Sequence, residues 1–135
     1  MSKENVEAVQ RAYEAFLRGD VEEAFATLDP DIIFKPTHEA PVQGRDAVRA
    51  SLERWQAPWE GHEMILEETI DGGDHVIQPI LFRGRGRGSG IEIESRFFQV
   101  FTIQDGRAVL WEEFTERYEA FEAAGLSSQD AHRRS

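Results

Sequence analysis

Two consecutive runs decide the fold: Ile91-Glu92-Ile93-Glu94-Ser95-Arg96-Phe97-Phe98-Gln99-Val100-Phe101-Thr102-Ile103 and, beyond Asp105-Gly106, Ala108-Val109-Leu110-Trp111-Glu112-Glu113-Phe114-Thr115-Glu116-Arg117. Both are rich in β-branched and aromatic residues, which suit a pleated, half-buried surface. The Asp-Gly pair between them is a strong hairpin signal. Working upstream, Met64 to Ile70 and His75 to Phe82 have the same character. Their turns fall at Asp71-Gly72-Gly73-Asp74 and at the Arg-Gly stretch Arg83 to Gly90. Four long strands joined by tight turns predict an antiparallel meander.

The N-terminal half has a different period. Val6, Val9, Tyr13, Phe16 and Leu17 recur at helical spacing, with Ser2 able to cap the start and Gly19 able to stop it. Asp20 with Glu23 forms an acidic capping box for a second helix whose apolar stripe is Val21, Ala24, Phe25 and Leu28. Asp29-Pro30-Asp31 breaks that helix, and a short strand from Ile32 to Lys35 ends at Pro36. Val48, Leu52 and Trp55 mark a third helix ending before Pro58. Phe121 and Leu126 fall on a short closing helix, and residues 127–135 form a polar tail. Helices first and strands afterwards is the α+β order. The expected architecture is a single domain over residues 1–126: a cone-shaped α+β barrel, with three N-terminal helices on the concave face of a strongly curved, mostly antiparallel sheet. The opposite face, too long and apolar to stay bare, is expected to meet a second copy, making a homodimer.

Composition narrows the functional classes. The 135 residues suit one domain, and 40% apolar content with nine Phe and three Trp supports a real core. Without cysteine there are no disulfides and no thiolate chemistry. The net charge of −11 argues against nucleic acid as a partner. No run reaches the roughly 18 apolar residues of a membrane span, and the polar start from Met1 to Val9 lacks a secretion signal, so no membrane association and a cytoplasmic location are expected. Arg83-Gly84-Arg85-Gly86-Arg87-Gly88-Ser89-Gly90 has the look of an arginine–glycine RNA-binding segment, but flanking strands read it as a hairpin. It also lacks the spacing of a dinucleotide loop.

Several strings together resemble the nuclear-transport-factor-like superfamily, in particular its SnoaL-like branch (polyketide cyclase and steroid isomerase-like proteins). They are Ala12-Tyr13-Glu14-Ala15-Phe16 running into Gly19-Asp20, Leu28-Asp29-Pro30-Asp31, Gly44-Arg45-Asp46-Ala47-Val48, Gly86 to Gly90, Asp105-Gly106-Arg107, and Tyr118 to Leu126. The likeness runs from about Glu4 to Leu126. It implies a pocket between the concave sheet and the helices, and says less about function, because the superfamily hosts enzymes and non-catalytic binders alike.

Strand alternation sorts the pocket residues. Phe97, Gln99 and Phe101 share one face of their strand, and Trp111, Glu113, Thr115 and Arg117 share one face of theirs. The resemblance turns Gln99 and Glu113 inward. Against steroid isomerases, the position of the carboxylate base is Lys35, the oxyanion tyrosine matches Tyr13, and the protonated acid matches Gln99. The isomerase base is thus replaced. No strand offers the Arg-x-Asp pair of the epoxide-hydrolase branch. Polyketide cyclases use a single pocket acid, for which Glu113 is the candidate. As a base it needs burial to raise its pKa; paired with Lys35 or Arg117 it is structural instead. Lys35 stands either as an enolate-stabilising cation or as a surface lysine, and Tyr13 either as oxyanion donor or as core tyrosine. His38, next to Glu39 in the loop after the first strand, reads as a proton shuttle or a solvated side chain. Phe16, Trp55, Trp59, Phe97, Phe101, Trp111 and Thr115 are candidates to line the cavity. His62, His75 and His132 lack metal spacing, and neither metal nor cofactor is expected. The functional expectation is a binder of a small apolar or carbonyl-bearing molecule. If catalytic, it performs cofactor-free proton transfer of cyclase, isomerase or dehydratase type, with Glu113 as base and Tyr13, Gln99 and Lys35 around the enolate oxygen. The alternative is a non-catalytic ligand-binding or dimerisation domain.

Overall fold

The computed structural model describes residues 2–126; the polar C-terminal tail lies outside them. Three helices come first: α1 (Ser2–Leu17), α2 (Val21–Ala26) and, after two short strands, α3 (Arg45–Gln56). Gly19 adopts φ +86°, the left-handed conformation that lets the chain reverse between α1 and α2. Asp20 accepts the backbone N–H of Glu23 at 3.1 Å, as the capping box requires. The reciprocal arm is missing because the Glu23 carboxylate pairs with Arg18 instead.

The strands are β1 (Leu28–Lys35), β2 (Val42–Gln43), β3 (Trp59–Leu66), β4 (Ile70–Gly72), β5 (His75–Gly86), β6 (Glu92–Gln104) and β7 (Arg107–Phe114), followed by α4 (Arg117–Ala123). They form one sheet in the order β2-β1-β7-β6-β5-β3, with β4 beside β5. All pairings are antiparallel except that of β1 with β7. The expected α+β cone is therefore present.

Four boundaries differ from the sequence reading. Leu28 is the first residue of β1 rather than the last of α2's stripe. Its carbonyl accepts Arg45 Nε at 2.9 Å, which ties the start of β1 to α3. The run expected from Met64 to Ile70 begins earlier, at Trp59, and divides into β3 and β4. The Arg-Gly stretch belongs to β5 as far as Gly86, so the turn is shorter than expected. Finally, β7 stops at Phe114, which leaves Thr115 beyond the strand and puts Arg117 at the start of α4.

The sheet carries a core on each face. On the concave side, Val9 and Ala15 of α1, Phe25 of α2 and Val48 of α3 pack with Ile32, Phe34, Phe101 and Ile103. On the convex side, α4 brings Ala120, Phe121 and Ala124 onto Ile70, Ile77, Phe98 and Val100. The chain's own last helix thus covers this part of the convex face. Beyond α4 the convex face carries ion pairs between neighbouring strands: Arg83 with Glu63 and Glu94, and Arg85 with Glu92. Arg87 donates to the carbonyls of Ala57 and Trp59, at 3.2 and 3.0 Å. All three arginines of the Arg-Gly stretch are thus engaged within the fold, as a hairpin requires. No described helix is long and apolar enough to cross a membrane.

Candidate functional site

A cavity of about 110 Å³ lies between the helices and the concave sheet. Its wall is overwhelmingly apolar, because α1 and α2 turn one stripe inward and β5, β6 and β7 present alternate residues. From β6 these are Phe97, Gln99, Phe101 and Ile103. On β7 the register shifts between Leu110, opposite Thr102, and Ala108, opposite Ile103, so Val109 is the extra residue of a bulge. Because the bulge precedes Trp111, both Trp111 and Glu113 still face inward and line the cavity. Tyr13, Phe16, His38 and Trp55 complete the predicted residues that reach it.

Three predicted residues lie elsewhere. Lys35 is exposed, and its register partner on β7 is Glu112 rather than Glu113. The cause is parity: Phe34 takes the inward position of β1, buried and stacked on Trp111 at 4.2 Å, so Lys35 must point out. Trp59 packs edge-on against Phe82 and is not part of the cavity wall. Thr115 is exposed past the end of β7.

The polar groups in the wall are few and ordered. Trp111 Nε1 donates to Gln99 Oε1 at 3.1 Å, and Gln99 Nε2 donates to Gln78 Oε1 at 3.0 Å. An indole nitrogen can only donate, so the first bond fixes which way the Gln99 amide faces. One amide proton of Gln99 is left without an acceptor among the described residues. The Tyr13 hydroxyl donates to the Met64 carbonyl at 3.3 Å. That bond engages the one proton the hydroxyl has.

Glu113 sits directly opposite Gln99. It is partly buried, and Oε1 accepts the Thr37 backbone N–H at 3.2 Å. Burial pushes its pKa above the usual carboxylate value, while the Thr37 N–H and the charge of His38 pull the other way without cancelling it. Neither Lys35 nor Arg117 forms an ion pair with it: Arg117 reaches Glu68 on the convex side. Among the described residues no cluster of three or more His, Asp or Glu is arranged to hold a metal ion.

Sequence reasoning missed Phe34 and Gln78. The signal for Gln78 was an amide inside the apolar run His75 to Phe82; it is 1% exposed and extends the polar chain from Gln99. The signal for Phe34 was its place one residue before Lys35 on an alternating strand.

With this geometry in hand, a family model described as SnoaL-like domain matches residues 9–111. An NTF2-like protein from Burkholderia thailandensis is similar over 83% of this chain and 90% of its own, with 26% identity and a TM-score of 0.76. A candidate SnoaL-like polyketide cyclase from Jannaschia sp. is similar over 91% of this chain and 92% of its own, with 20% identity and a TM-score of 0.76. TerC, co-crystallised with polyporic acid, is similar over 90% of this chain and 98% of its own, with 19% identity and a TM-score of 0.73. At 19 and 20% identity the last two show a shared fold. No curated protein matches the chain.

Proposed function

The chain belongs to the SnoaL-like domain family, and from that premise we propose that it catalyses proton transfer on a small, largely apolar carbonyl compound bound in the cone. One observation carries the reading: Glu113 is a carboxylate on an apolar cavity wall, its pKa raised by burial and with no cation paired to it among the described residues. A carboxylate so placed is a stronger base than a solvated one and stands where it can abstract an acidic C–H proton. Gln99, directly across the strands, holds an N–H free to donate to the oxygen where negative charge then develops. Base and donor thus sit side by side, as enolisation requires, and the chemistry needs nothing beyond side chains.

The substrate oxygen belongs near Gln99, the acidic carbon near Glu113, and the hydrocarbon body against Phe34, Phe97, Phe101 and Trp111. The cyclase-named relative from Jannaschia sp. and the polyporic acid complex of TerC support ligand binding in this fold. The test uses 2-tetralone, a bicyclic ketone with acidic hydrogens beside its carbonyl. Wild-type protein in D₂O should accelerate deuterium entry at that carbon, followed by proton NMR, and Glu113→Gln should abolish the acceleration. Binding of 2-tetralone with no exchange would reduce the protein to a binder.

A further inference from the structure

A charged cluster on the cavity rim takes no part in the scheme above. His38 lines the cavity from the loop after β1, with its side chain 24% exposed. Three groups surround its Nε2, and all three are acceptors. The Glu39 carboxylate is 2.9 Å away. It stays ionised, its pKa lowered to about 2 chiefly by the Arg54 guanidinium and then by the Ser51 hydroxyl. The Ser51 carbonyl is 3.2 Å away. Ser51 Oγ, at 3.3 Å, has given its own proton to Glu39 at 2.6 Å, so it too has only lone pairs to offer. A ring nitrogen among three acceptors carries the proton, and the basic nitrogen of the neutral ring is then Nδ1.

The same loop reaches the base. Thr37, one residue before His38, donates its backbone N–H to Glu113 Oε1 at 3.2 Å. Around His38 stand Glu39 on its own loop and Ser51 on α3, with Arg54 of α3 paired to Glu39, and Glu113 on β7 lines the same cavity. One edge of the ring is therefore locked to a fixed negative charge, and the ring stands between the cavity and solvent.

We propose that His38 is the second acid–base residue of the cavity, its Nδ1 relaying protons between Glu113 and water. The inference rests on Glu113 as the base. The Glu113 carboxylate takes a proton from the substrate carbon and becomes the neutral acid. That proton passes to Nδ1, which restores the carboxylate and forms an imidazolium held by Glu39, and it then leaves from Nδ1 to water, restoring the neutral ring. The reverse path brings a solvent proton to the enolate carbon. No electrons change hands. Glu39 and Arg54 are positioning residues, fixing the tautomer as a buried carboxylate does for a catalytic imidazole.

Two measurements test this. In wild-type protein, ¹⁵N NMR of the imidazoles, with His38 assigned through His38→Gln, should show the Nε2–H tautomer above neutral pH; the Nδ1–H tautomer would overturn the relay without any kinetic variant. In the 2-tetralone exchange assay at saturating ketone, His38→Ala should lose about 10²-fold of the exchange rate, and added imidazole should restore it. Exchange unchanged in His38→Ala, or lost without imidazole rescue, overturns the relay while leaving Glu113 as base. Absence of exchange in the wild type overturns both.

Discussion

Gln99 on β6 and Glu113 on β7 are register partners, so an amide and a carboxylate stand face to face on the same side of the sheet inside an apolar cone. Polar groups cost free energy in such surroundings unless satisfied. Gln99 has a partner at each of its polar atoms, and Glu113 accepts a single backbone N–H. That imbalance is the source of the first prediction.

Glu113 is less comfortable ionised in the folded chain than in the unfolded one, since its folded pKa lies above 4.5. A carboxylate with a raised folded pKa contributes its full relative stability at low pH and loses it as pH rises from 4.5 through the folded value. Glu113→Gln cannot ionise and escapes this loss. Urea unfolding at stepped pH should therefore show the stability of Glu113→Gln gaining on wild type above pH 4.5. The gain should be about 1.4 kcal/mol for every pH unit that separates the folded pKa from the unfolded one. A pH-independent difference would contradict it.

Glu39 behaves with the opposite sign. Its folded pKa is lowered from 4.5 to about 2, so its contribution is present above 4.5 and disappears as pH falls through 2. The group is solvent-facing, so the effect is screened and small. Thermal melts of wild type should fall more steeply on acidification over that window than those of Glu39→Gln.

The amide chain predicts coupling. Trp111→Phe leaves a smaller aromatic ring beside Phe34 and Phe101 and removes the donor to Gln99 Oε1. An unpaired carbonyl in a buried amide costs about 1–3 kcal/mol. Replacing Gln99 by Met removes that carbonyl, so the two changes together should cost less than their sum. A double-mutant cycle by urea denaturation reads the difference directly.

Much of this arrangement was legible in the strands and little of it in the loops. Phe97-Phe98-Gln99-Val100-Phe101 sorts itself by alternation alone, and β6 is regular enough there for that rule to hold. Lys35 shows where alignment misleads: it occupies the position of a base in a resembling family, yet the neighbouring Phe34 fills the inward site and turns Lys35 out. Local pattern could not show that β1 lies parallel beside β7, because that pairing joins residues far apart in sequence. Nor could it place the bulge at Val109, whose side chain differs in nothing from a regular strand residue. The rim cluster was visible only as His38-Glu39; Ser51 and Arg54 come to it from α3 through tertiary packing.

Gly84 tests the far end of the sheet. A Cβ there would lie 2.5 Å from Phe82 Cζ and 3.0 Å from Trp59 Cε3, because both rings fold over the glycine. Gly84→Ala should cost about 1–3 kcal/mol, as overpacking does. A Cβ at Gly61, on neighbouring β3, would meet nothing within 4 Å. Gly61→Ala therefore serves as the control and should be nearly neutral in the same urea experiment.

Tyr13 separates tether from catalyst. Its hydroxyl lines the cavity, and burial raises its pKa, both of which fit an oxyanion donor. Yet its proton already goes to the Met64 carbonyl, across from α1 to β3, and a hydroxyl has one proton to give. As a tether, Tyr13→Phe should lower stability by about 1 kcal/mol, the net worth of one hydrogen bond, and leave 2-tetralone exchange close to wild type. As a donor to the enolate, the same change should cost about 10²–10³-fold in rate. Measuring both on one variant decides between them, and the proton already given to Met64 favours the tether.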